Sequence, residues 1–170
     1  SEAEAFTGTI NVDDSNIEDL TGLEAFKNLT ELFAKQNRLN SIDISANTKL
    51  IYLNVGVNSI SSIDVSNNTK LRHLYVYKNQ LTDLDVTLNK ELLNISCGYN
   101  SISSLDLSQN LSIKNVTAYS NSLSSLNLTN NINLENVVVS GNNISSLDLS
   151  NSLLLESLFC SKTKISSLDL

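Results

Sequence analysis

The chain of 170 residues contains no proline, methionine or tryptophan and only five glycines. Globular domains rich in loops use proline and glycine in their turns, so this scarcity favours a structural unit that is copied along the chain. Basic residues are also few: eleven lie scattered in a chain of net charge −7. This distribution excludes the basic face that nucleic acid or an anionic lipid surface requires.

Long apolar runs are missing as well. No run approaches the roughly 20 residues of a membrane span, which argues against membrane insertion. The first residues, SEAEAF, lack the basic and apolar regions of a signal peptide. We therefore expect the sequence to be either a trimmed exported protein or a piece of a longer chain.

One phrase is abundant: NSISSLDLSQN begins at Asn100, and near copies begin at Asn58 and Asn121. The residues that mark this period are 21 positions apart without any insertion, and we call them the reference positions. They are Asn37, Asn58, Asn79, Asn100, Asn121, Asn142 and finally Thr163. A period held this strictly predicts a solenoid in which each repeat forms one coil.

Apolar residues recur at fixed offsets from each reference position: eight, five and three residues before it, and two, five and seven after it. The alternation before the reference position indicates a short strand, and the strands of successive coils are expected to pair in a parallel sheet. Ten residues after each reference position a second polar column follows. It contains Asn47, Asn68, Asn89, Asn110, Asn131 and Ser152. We expect the asparagines of both columns to point inward and to pair with backbone groups.

The first coil differs from the others. It is 22 residues long, from Ser15 to Asn37, and its apolar residues are spaced by threes. That spacing predicts a helical or 3₁₀ turn on the outer side of the coil. Because the later coils are extended on both sides, we expect the stack to be nearly straight.

The pattern L-x-x-L-x-L-x-x-N-x-L, repeated over residues 10–170, resembles the leucine-rich repeat. The first coil and the 21-residue period are similar to those of bacterial surface proteins of the internalin type, in the internalin-J-like branch. The resemblance implies a right-handed β-solenoid of about eight coils, with a parallel sheet on one face and short extended segments on the other.

Two boundaries follow from this resemblance. Residues 1–9 are expected to be the remnant of an N-terminal cap, and residues 10–170 a single leucine-rich repeat domain with an incomplete last coil. That last coil leaves an open sheet edge, which can pair with a second copy of the chain.

Catalytic groups are scarce. His73 is the only histidine, which excludes sites built from several histidines, and no nucleophile stands beside it in the repeat. Cys97 and Cys160 share one inward column three coils apart, about 14 Å by the strand spacing. This exceeds the reach of a disulfide, so we predict two buried free thiols. We expect no enzyme activity and no cofactor.

An acidic column lies six residues after the reference positions. It contains Asp43, Asp64, Asp85, Asp106, Asp148 and Asp169, with Asn127 interrupting it. One carboxylate per coil supplies too few of the six to eight oxygens that Ca²⁺ takes. We therefore interpret the column as structural, with local hydrogen bonds to flanking serines such as Ser103 and Ser104, and Ca²⁺ binding stays open.

The copies agree in the core and differ at the outward strand positions, which lie six, four, two and one residues before each reference position. We call this surface the strand face. All five tyrosines of the chain lie on it, whereas the opposite side repeats serine, aspartate and threonine. The predicted ligand-binding residues are Phe33, Lys35, Tyr52, Asn54, His73, Tyr75, Tyr77, Tyr99 and Tyr119.

An ordered aromatic surface provides a large contact area at little entropic cost, which favours recognition. The alternative is that neighbouring tyrosines only stabilise the sheet as cross-strand pairs. In the proteins that the chain resembles, the strand face is the usual partner-binding surface. We therefore predict a non-catalytic recognition or adhesion module, extracellular or at the cell surface, that binds a protein ligand. A polysaccharide ligand and a structural spacer stay open as alternatives.

Overall fold

The computed structural model of the chain describes residues 2–169, so the predicted domain ends at Ser1 and Leu170, and the side chain of Asp169, lie outside the described residues. The chain folds into short strands that recur once per coil. The elements are α1 Glu2–Ala5, β1 Gly8–Asn11, a 3₁₀ turn Leu23–Ala25, β2 Leu29–Phe33, β3 Tyr52–Asn54, β4 His73–Tyr75, β5 Asn94–Ser96, β6 Asn115–Thr117, β7 Asn136–Val138, β8 Leu147–Asp148, β9 Ser157–Phe159 and β10 Leu168–Asp169.

Eight of the strands form one parallel sheet in the order β1-β2-β3-β4-β5-β6-β7-β9. From β2 onward each residue pairs with the residue 21 positions later, as in the series Glu31, Tyr52 and His73. On the other side of the last coils, β8 and β10 form a two-stranded parallel sheet. The predicted parallel solenoid and the 3₁₀ turn of the first coil are thereby confirmed.

Two sequence-based expectations about the ends stay predictions. Strand β1 begins at Gly8 and ends at Asn11, so it spans the predicted boundary between residues 9 and 10. Strands β1 and β9 lie at the edges of the described sheet. Pairing of an edge with a second copy is an expectation that rests on the unpaired backbone groups of any edge strand.

The inward columns form one continuous core between the two sides of the coils. In β3, β4 and β5 the middle residues Leu53, Leu74 and Ile95 are at most 1% exposed. Each buried aliphatic side chain contributes roughly 1.5–3 kcal/mol to folding. A single coil cannot remove these side chains from water, so the coils are stable only as a stack.

The asparagine at each reference position joins its coil to the preceding one. Asn100 accepts a hydrogen bond at Oδ1 from the backbone N–H of Leu81 at 2.9 Å. Its Nδ2 donates to the carbonyl oxygens of Val76 and Cys97, both at 3.0 Å. Asn58, Asn79, Asn121 and Asn142 bond in the same way. The predicted inward corner is confirmed, because these bonds satisfy backbone groups that the turn leaves unpaired.

The second polar column is buried more deeply. Asn89 is 0% exposed, and its Nδ2 donates to the carbonyl oxygens of Val65 and Asn68, each at 2.9 Å. Asn68 and Asn110 repeat this arrangement one coil before and one coil after. The two columns therefore hold both corners of the coil to the coil before it.

The residue just before each reference position adopts a left-handed backbone conformation, which the sequence pattern does not predict. The φ angles are 56° at Gln36, 58° at Val57, 51° at Lys78, 55° at Tyr99, 53° at Ser120, 69° at Gly141 and 53° at Lys162. Asp14, which precedes Ser15 at the equivalent place of the first coil, has a φ of 51°. This conformation costs a residue with a side chain roughly 1–2 kcal/mol. The stack holds it in place, since the backbone N–H of Val57 donates to the carbonyl of Tyr77 in the next coil at 2.9 Å.

Val57 is the most strained member of this set, because a β-branched side chain is especially unfavourable at positive φ. We expect Val57→Asn to raise the free energy of unfolding by about 1 kcal/mol, since asparagine tolerates the left-handed region. The matched control is Gly141→Val at the same position of a later coil, which should lower it by about 1–2 kcal/mol. Chemical denaturation of both variants checks the pair. Equal effects in the same direction would contradict this interpretation of the turn.

Candidate functional site

The sheet places the predicted binding residues on one outward surface. Tyr52 and His73 lie in neighbouring strands at one register position, and Asn54 and Tyr75 lie together at another. The aromatic side chains among the predicted binding residues are half-buried except for Tyr99, which is 49% exposed. Phe159, which also lies on this face in the edge strand β9, is 59% exposed. The strand face is therefore a real surface of the fold.

A first aromatic cluster covers strands β2 to β4. The rings of Phe33 and Tyr52 are stacked, with centroids 4.6 Å apart and planes 28° from parallel. Tyr52 also contacts Tyr75 and His73, with ring centroids 5.2 and 5.5 Å away. The four rings form one continuous patch across three coils, because the strand register sets them side by side.

Tyr52 stays neutral within this cluster. Burial, followed by the neighbouring Tyr75, Asp13 and Tyr77, raises the pKa of Tyr52 to about 12. Its hydroxyl group therefore remains a proton donor across the physiological range. The centre of the patch offers a neutral hydrogen-bonding group framed by apolar ring surface.

A second aromatic cluster lies where the strands end. The ring of Tyr119 contacts that of Tyr99 edge-on, with centroids 4.9 Å apart, and the Nζ of Lys78 lies 5.4 Å from the Tyr99 centroid. Burial raises the pKa of Tyr119, and Tyr99 and Tyr77 act in the same direction. Lys78 and Tyr99 have left-handed backbone conformations, so the chain leaves the extended conformation of the strand at these two residues.

Glycines support two of the tyrosines. A Cβ atom on Gly56 would lie 2.6 Å from the ring of Tyr77, and one on Gly98 would lie 2.7 Å from the ring of Tyr119. These distances are too short for any side chain, so each ring occupies the space that the glycine of the preceding coil leaves free. The sequence alternates glycine and tyrosine here over four coils, which is the signal that could have revealed the arrangement.

We expect Gly98→Val to displace the Tyr119 ring from the strand face. The ring is at the end of a flexible side chain, so the free energy of unfolding should change by less than about 1 kcal/mol. The measurement is the nuclear Overhauser contact between the Tyr99 and Tyr119 rings, which should weaken or disappear. Gly56→Val is the control, because it displaces Tyr77 and leaves that contact in place. An unchanged contact in Gly98→Val would contradict the assignment.

Lys35 and Asn54 lie beside the first aromatic cluster and are half-buried. The backbone N–H of Lys35 donates to Asp13 Oδ1 at 2.6 Å. The Oδ1 atom of Asn54 accepts a bond from the N–H of Gly56 at 3.1 Å, which orients its amide. Both residues thus belong to the surface that holds the rings.

Sequence reasoning missed a polar column on the same face, which we call the amide ladder. It runs through His73, Asn94, Asn115, Asn136 and Ser157, one residue in each of the strands β4, β5, β6, β7 and β9, and each side chain is hydrogen-bonded to the next. Burial and then Arg72 lower the pKa of His73, and Glu31 opposes them. Three successive asparagines at one repeat position were the signal in the sequence.

The acidic column has a local structural role. Asp106 Oδ1 accepts a hydrogen bond from the backbone N–H of Ser108 at 2.8 Å, and this bonding holds its pKa below the ordinary value. Asp43, Asp64, Asp85 and Asp148 bond in the same way to the residue two positions later. The expected partners were wrong: these bonds go to serine or threonine after the aspartate, and not to the pair Ser103 and Ser104. A turn at the aspartate brings the later N–H to the carboxylate.

Metal-binding groups and thiols add no further site. Within residues 2–169, no group of three or more histidine, cysteine, aspartate or glutamate side chains is arranged to hold a metal ion. Both cysteines are free. Cys97 is buried, and burial raises its pKa to about 12. The prediction for Cys160 was partly wrong, because it is only half-buried: it follows β9, which lies at an edge of the described sheet. No helix of the described part is long and apolar enough to cross a membrane.

Comparison with known proteins identifies the repeat. The family model of the leucine-rich repeat domain of the endo-β-N-acetylglucosaminidase EndoS matches residues 1–110. No curated protein sequence matches the chain. The functional domain of InlJ from Listeria monocytogenes, which includes a cysteine ladder, is 33% identical over 98% of this chain, with a TM-score of 0.96.

Two further structures share the fold. Internalin InlF from Listeria monocytogenes is 24% identical over 95% of this chain, with a TM-score of 0.83. The plant peptide hormone receptor RGFR1, solved in complex with RGF2, is 25% identical over 89% of this chain and is covered over 25% of its own length, with a TM-score of 0.70. The chain spans 37% of the InlJ structure and 53% of the InlF structure. The chain therefore belongs to the leucine-rich repeat family that includes the EndoS domain and is an internalin-like bacterial leucine-rich repeat protein.

Proposed function

We propose that the chain is a non-catalytic recognition module that binds a protein ligand through the aromatic clusters of the strand face. The observation that carries this proposal is the continuous patch of Phe33, Tyr52, Tyr75 and His73, whose rings the strand register holds 4.6 to 5.5 Å apart. Aromatic side chains with polar ends are enriched at the energetic centres of protein interfaces. The leucine-rich repeat fold itself serves protein interaction, and RGFR1 is a peptide hormone receptor of this fold.

Rigid display would be the mechanism. The rings are half-buried against neighbouring coils, so they lose little conformational freedom when a ligand binds. The neutral hydroxyl of Tyr52 supplies a directional hydrogen bond at the centre of the patch. The ammonium group of Lys78 lies near the Tyr99 ring at the margin. Binding of this kind requires no chemical step, which agrees with the non-catalytic character typical of internalin-like domains.

The rear of the coils supports the same choice. Its acidic side chains already accept hydrogen bonds from neighbouring backbone N–H groups, as Asp64 does from Ser66 at 2.8 Å. The strand face, by contrast, concentrates every tyrosine of the chain. Internalin-like relatives are bacterial surface or secreted proteins, and we place this module outside the cell or at its surface on that basis.

A polysaccharide is the second candidate ligand, and the glycine-supported tyrosines favour it. Tyr77 and Tyr119 each rest against a glycine of the preceding coil, and they occupy the same strand position two coils apart, about 10 Å by the strand spacing. Aromatic rings held against a flat backbone are suited to stack on sugar rings. The amide ladder on the same face supplies hydrogen-bond donors and acceptors.

The test is a binding screen of the purified chain against an array of cell-surface proteins and an array of polysaccharides, with Tyr75→Ser/Tyr77→Ser alongside. We expect capture on the protein array and a loss of at least about 30-fold in affinity in the variant, since two central aromatic side chains contribute roughly 2 kcal/mol or more. The free energy of unfolding of the variant should stay close to that of the wild type. Capture only by polysaccharides would favour the second candidate, and silence on both arrays would favour a structural spacer.

A further inference from the structure

The amide ladder is a directional chain of hydrogen bonds. Asn94 Nδ2 lies 2.7 Å from His73 Nδ1, Asn115 Nδ2 donates to Asn94 Oδ1, and Asn136 Nδ2 donates to Asn115 Oδ1 at 2.7 Å. The hydroxyl of Ser157 donates to Asn136 Oδ1 and closes the series. Every donor points toward the N-terminal end of the stack. The chain of bonds therefore ends on His73, where the donor and acceptor roles depend on the imidazole tautomer; with Asn94 Nδ2 facing the ring, Nδ1 is the acceptor.

This direction is set at His73. When Nδ1 accepts, the imidazole is neutral and carries its proton on Nε2. Asn94 must then present Nδ2 to the ring, which leaves its Oδ1 facing Asn115, and the same constraint passes to Asn136. The column has only one other consistent arrangement, with every amide reversed and the Ser157 hydroxyl accepting. Any mixed arrangement places two donors or two acceptors opposite each other, which costs roughly 1–3 kcal/mol per unmade bond.

We propose that the amide ladder is a pH-operated relay, in which a proton taken up by His73 at Nδ1 reverses Asn94, Asn115 and Asn136 together. The proton comes from solvent and forms one N–H bond. Nδ1 then becomes a donor, so Asn94 turns its Oδ1 toward the ring, and each later amide follows by rotation about its terminal side-chain bond. The signal travels over four strand spacings to Ser157, about 19 Å.

The surroundings of His73 set the pH at which this occurs. The Tyr52 ring lies 5.5 Å away on the preceding strand, and its hydroxyl stays neutral. Arg72 precedes His73 in the chain and disfavours the imidazolium, whereas Glu31 two strands away favours it. On the other side of His73 the ladder residues Asn94, Asn115, Asn136 and Ser157 do not titrate. Because burial and Arg72 dominate, the midpoint pH of the reversal lies below 6.5, the ordinary pKa of histidine.

Reversal would change what the strand face presents beside the first aromatic cluster. Each amide exchanges the positions of its oxygen and its NH₂ group, so donors and acceptors trade places along the column. Ligand binding through this face would then depend on pH between neutral and mildly acidic conditions. This consequence rests on the proposed function, whereas the relay itself rests only on the hydrogen bonds.

The test is an NMR titration of the ¹⁵N-labelled chain from pH 7.5 to about 4.5, following the His73 ring and the side-chain NH₂ groups of the ladder. We expect Asn94, Asn115 and Asn136 to titrate with the same midpoint as His73. Asn136 is decisive, because it lies three strands from the ring, about 14 Å, where the direct field of the imidazolium is weak. Asn133, in the same coil as Asn136 but outside the ladder, donates its Nδ2 to the Leu111 carbonyl; it is the internal control and should not follow.

Asn115→Ala supplies the matched variant, since it interrupts the ladder at an outward, half-buried side chain. In this variant Asn94 should still follow His73, while the titration of Asn136 should be lost. The relay would be overturned if the Asn136 resonance of the wild type does not titrate with the His73 midpoint. It would also be overturned if Asn136 still titrates with that midpoint in Asn115→Ala. No ligand is needed, so failure here would leave the proposed function standing, and silence on the arrays would leave the relay testable.

Discussion

Replacing Asn89 with aspartate is expected to lower the free energy of unfolding by about 4 kcal/mol at neutral pH. Asn89 is 0% exposed, and its Nδ2 donates to two carbonyl oxygens, those of Val65 and Asn68, at 2.9 Å. The substitution keeps the shape of the side chain and replaces the donor by an oxygen. Two carbonyl groups lose their partner, and a charge is buried without compensation.

The pH dependence of Asn89→Asp gives this prediction a second readout. Burial raises the pKa of the introduced carboxyl group in the folded state above its unfolded value near 3.9. The destabilisation should therefore grow as the pH rises from about 4 toward the raised pKa, and it should be smallest and constant below about 4, where the carboxyl group is protonated in both states. Urea denaturation at several pH values measures this. Asn143→Asp is the control, because the same change at the exposed Asn143 should cost less than about 0.5 kcal/mol. Similar losses for both variants would show that the second column does not hold the coils.

Leu74→Ala is expected to cost about 2–5 kcal/mol. Leu74 is 0% exposed in the middle of β4, where its neighbours in the adjacent strands are Leu53 and Ile95. Truncation removes buried apolar surface and leaves a cavity, and the coils on both sides limit how far the core can collapse into it.

The control for this change is Leu111→Ala, because Leu111 lies at the outer turn and is 54% exposed. Its loss should change the free energy of unfolding by less than about 1 kcal/mol. Denaturation of both variants in one buffer provides the comparison. A cost at Leu111 equal to that at Leu74 would contradict the division between inward columns and outer turns.

The repeat made most of the fold predictable from the sequence. Side chains that recur every 21 residues must occupy equivalent places, so one alternating segment located the strands of the main sheet from β2 onward, and the inward asparagines followed from the backbone groups that need partners. The left-handed residues were not predictable in the same way. Glycine usually marks that conformation, but only Gly141 does so here, and in the other coils the hydrogen bonds of the stack impose it on residues such as Val57.

The candidate site was predictable as a surface but not as an arrangement. Alternation alone decides which side chains face outward, and it placed Tyr52 and Tyr75 on the strand face. The contacts between them depend on which way each ring leans, which the sequence pattern does not encode. The amide ladder was missed for a related reason: asparagines that look interchangeable with the structural ones make their bonds to one another along the sheet.

The affinity of a captured ligand for two matched variants tests the central claim most directly. One variant is Tyr75→Ser/Tyr77→Ser on the strand face, and the other is Asp64→Ser/Asp85→Ser on the rear of neighbouring coils. We expect the dissociation constant to rise at least about 30-fold for the first and less than about twofold for the second, with both chains folded. Equal affinities for the two variants, or a larger loss from the rear, would contradict recognition through the aromatic strand face.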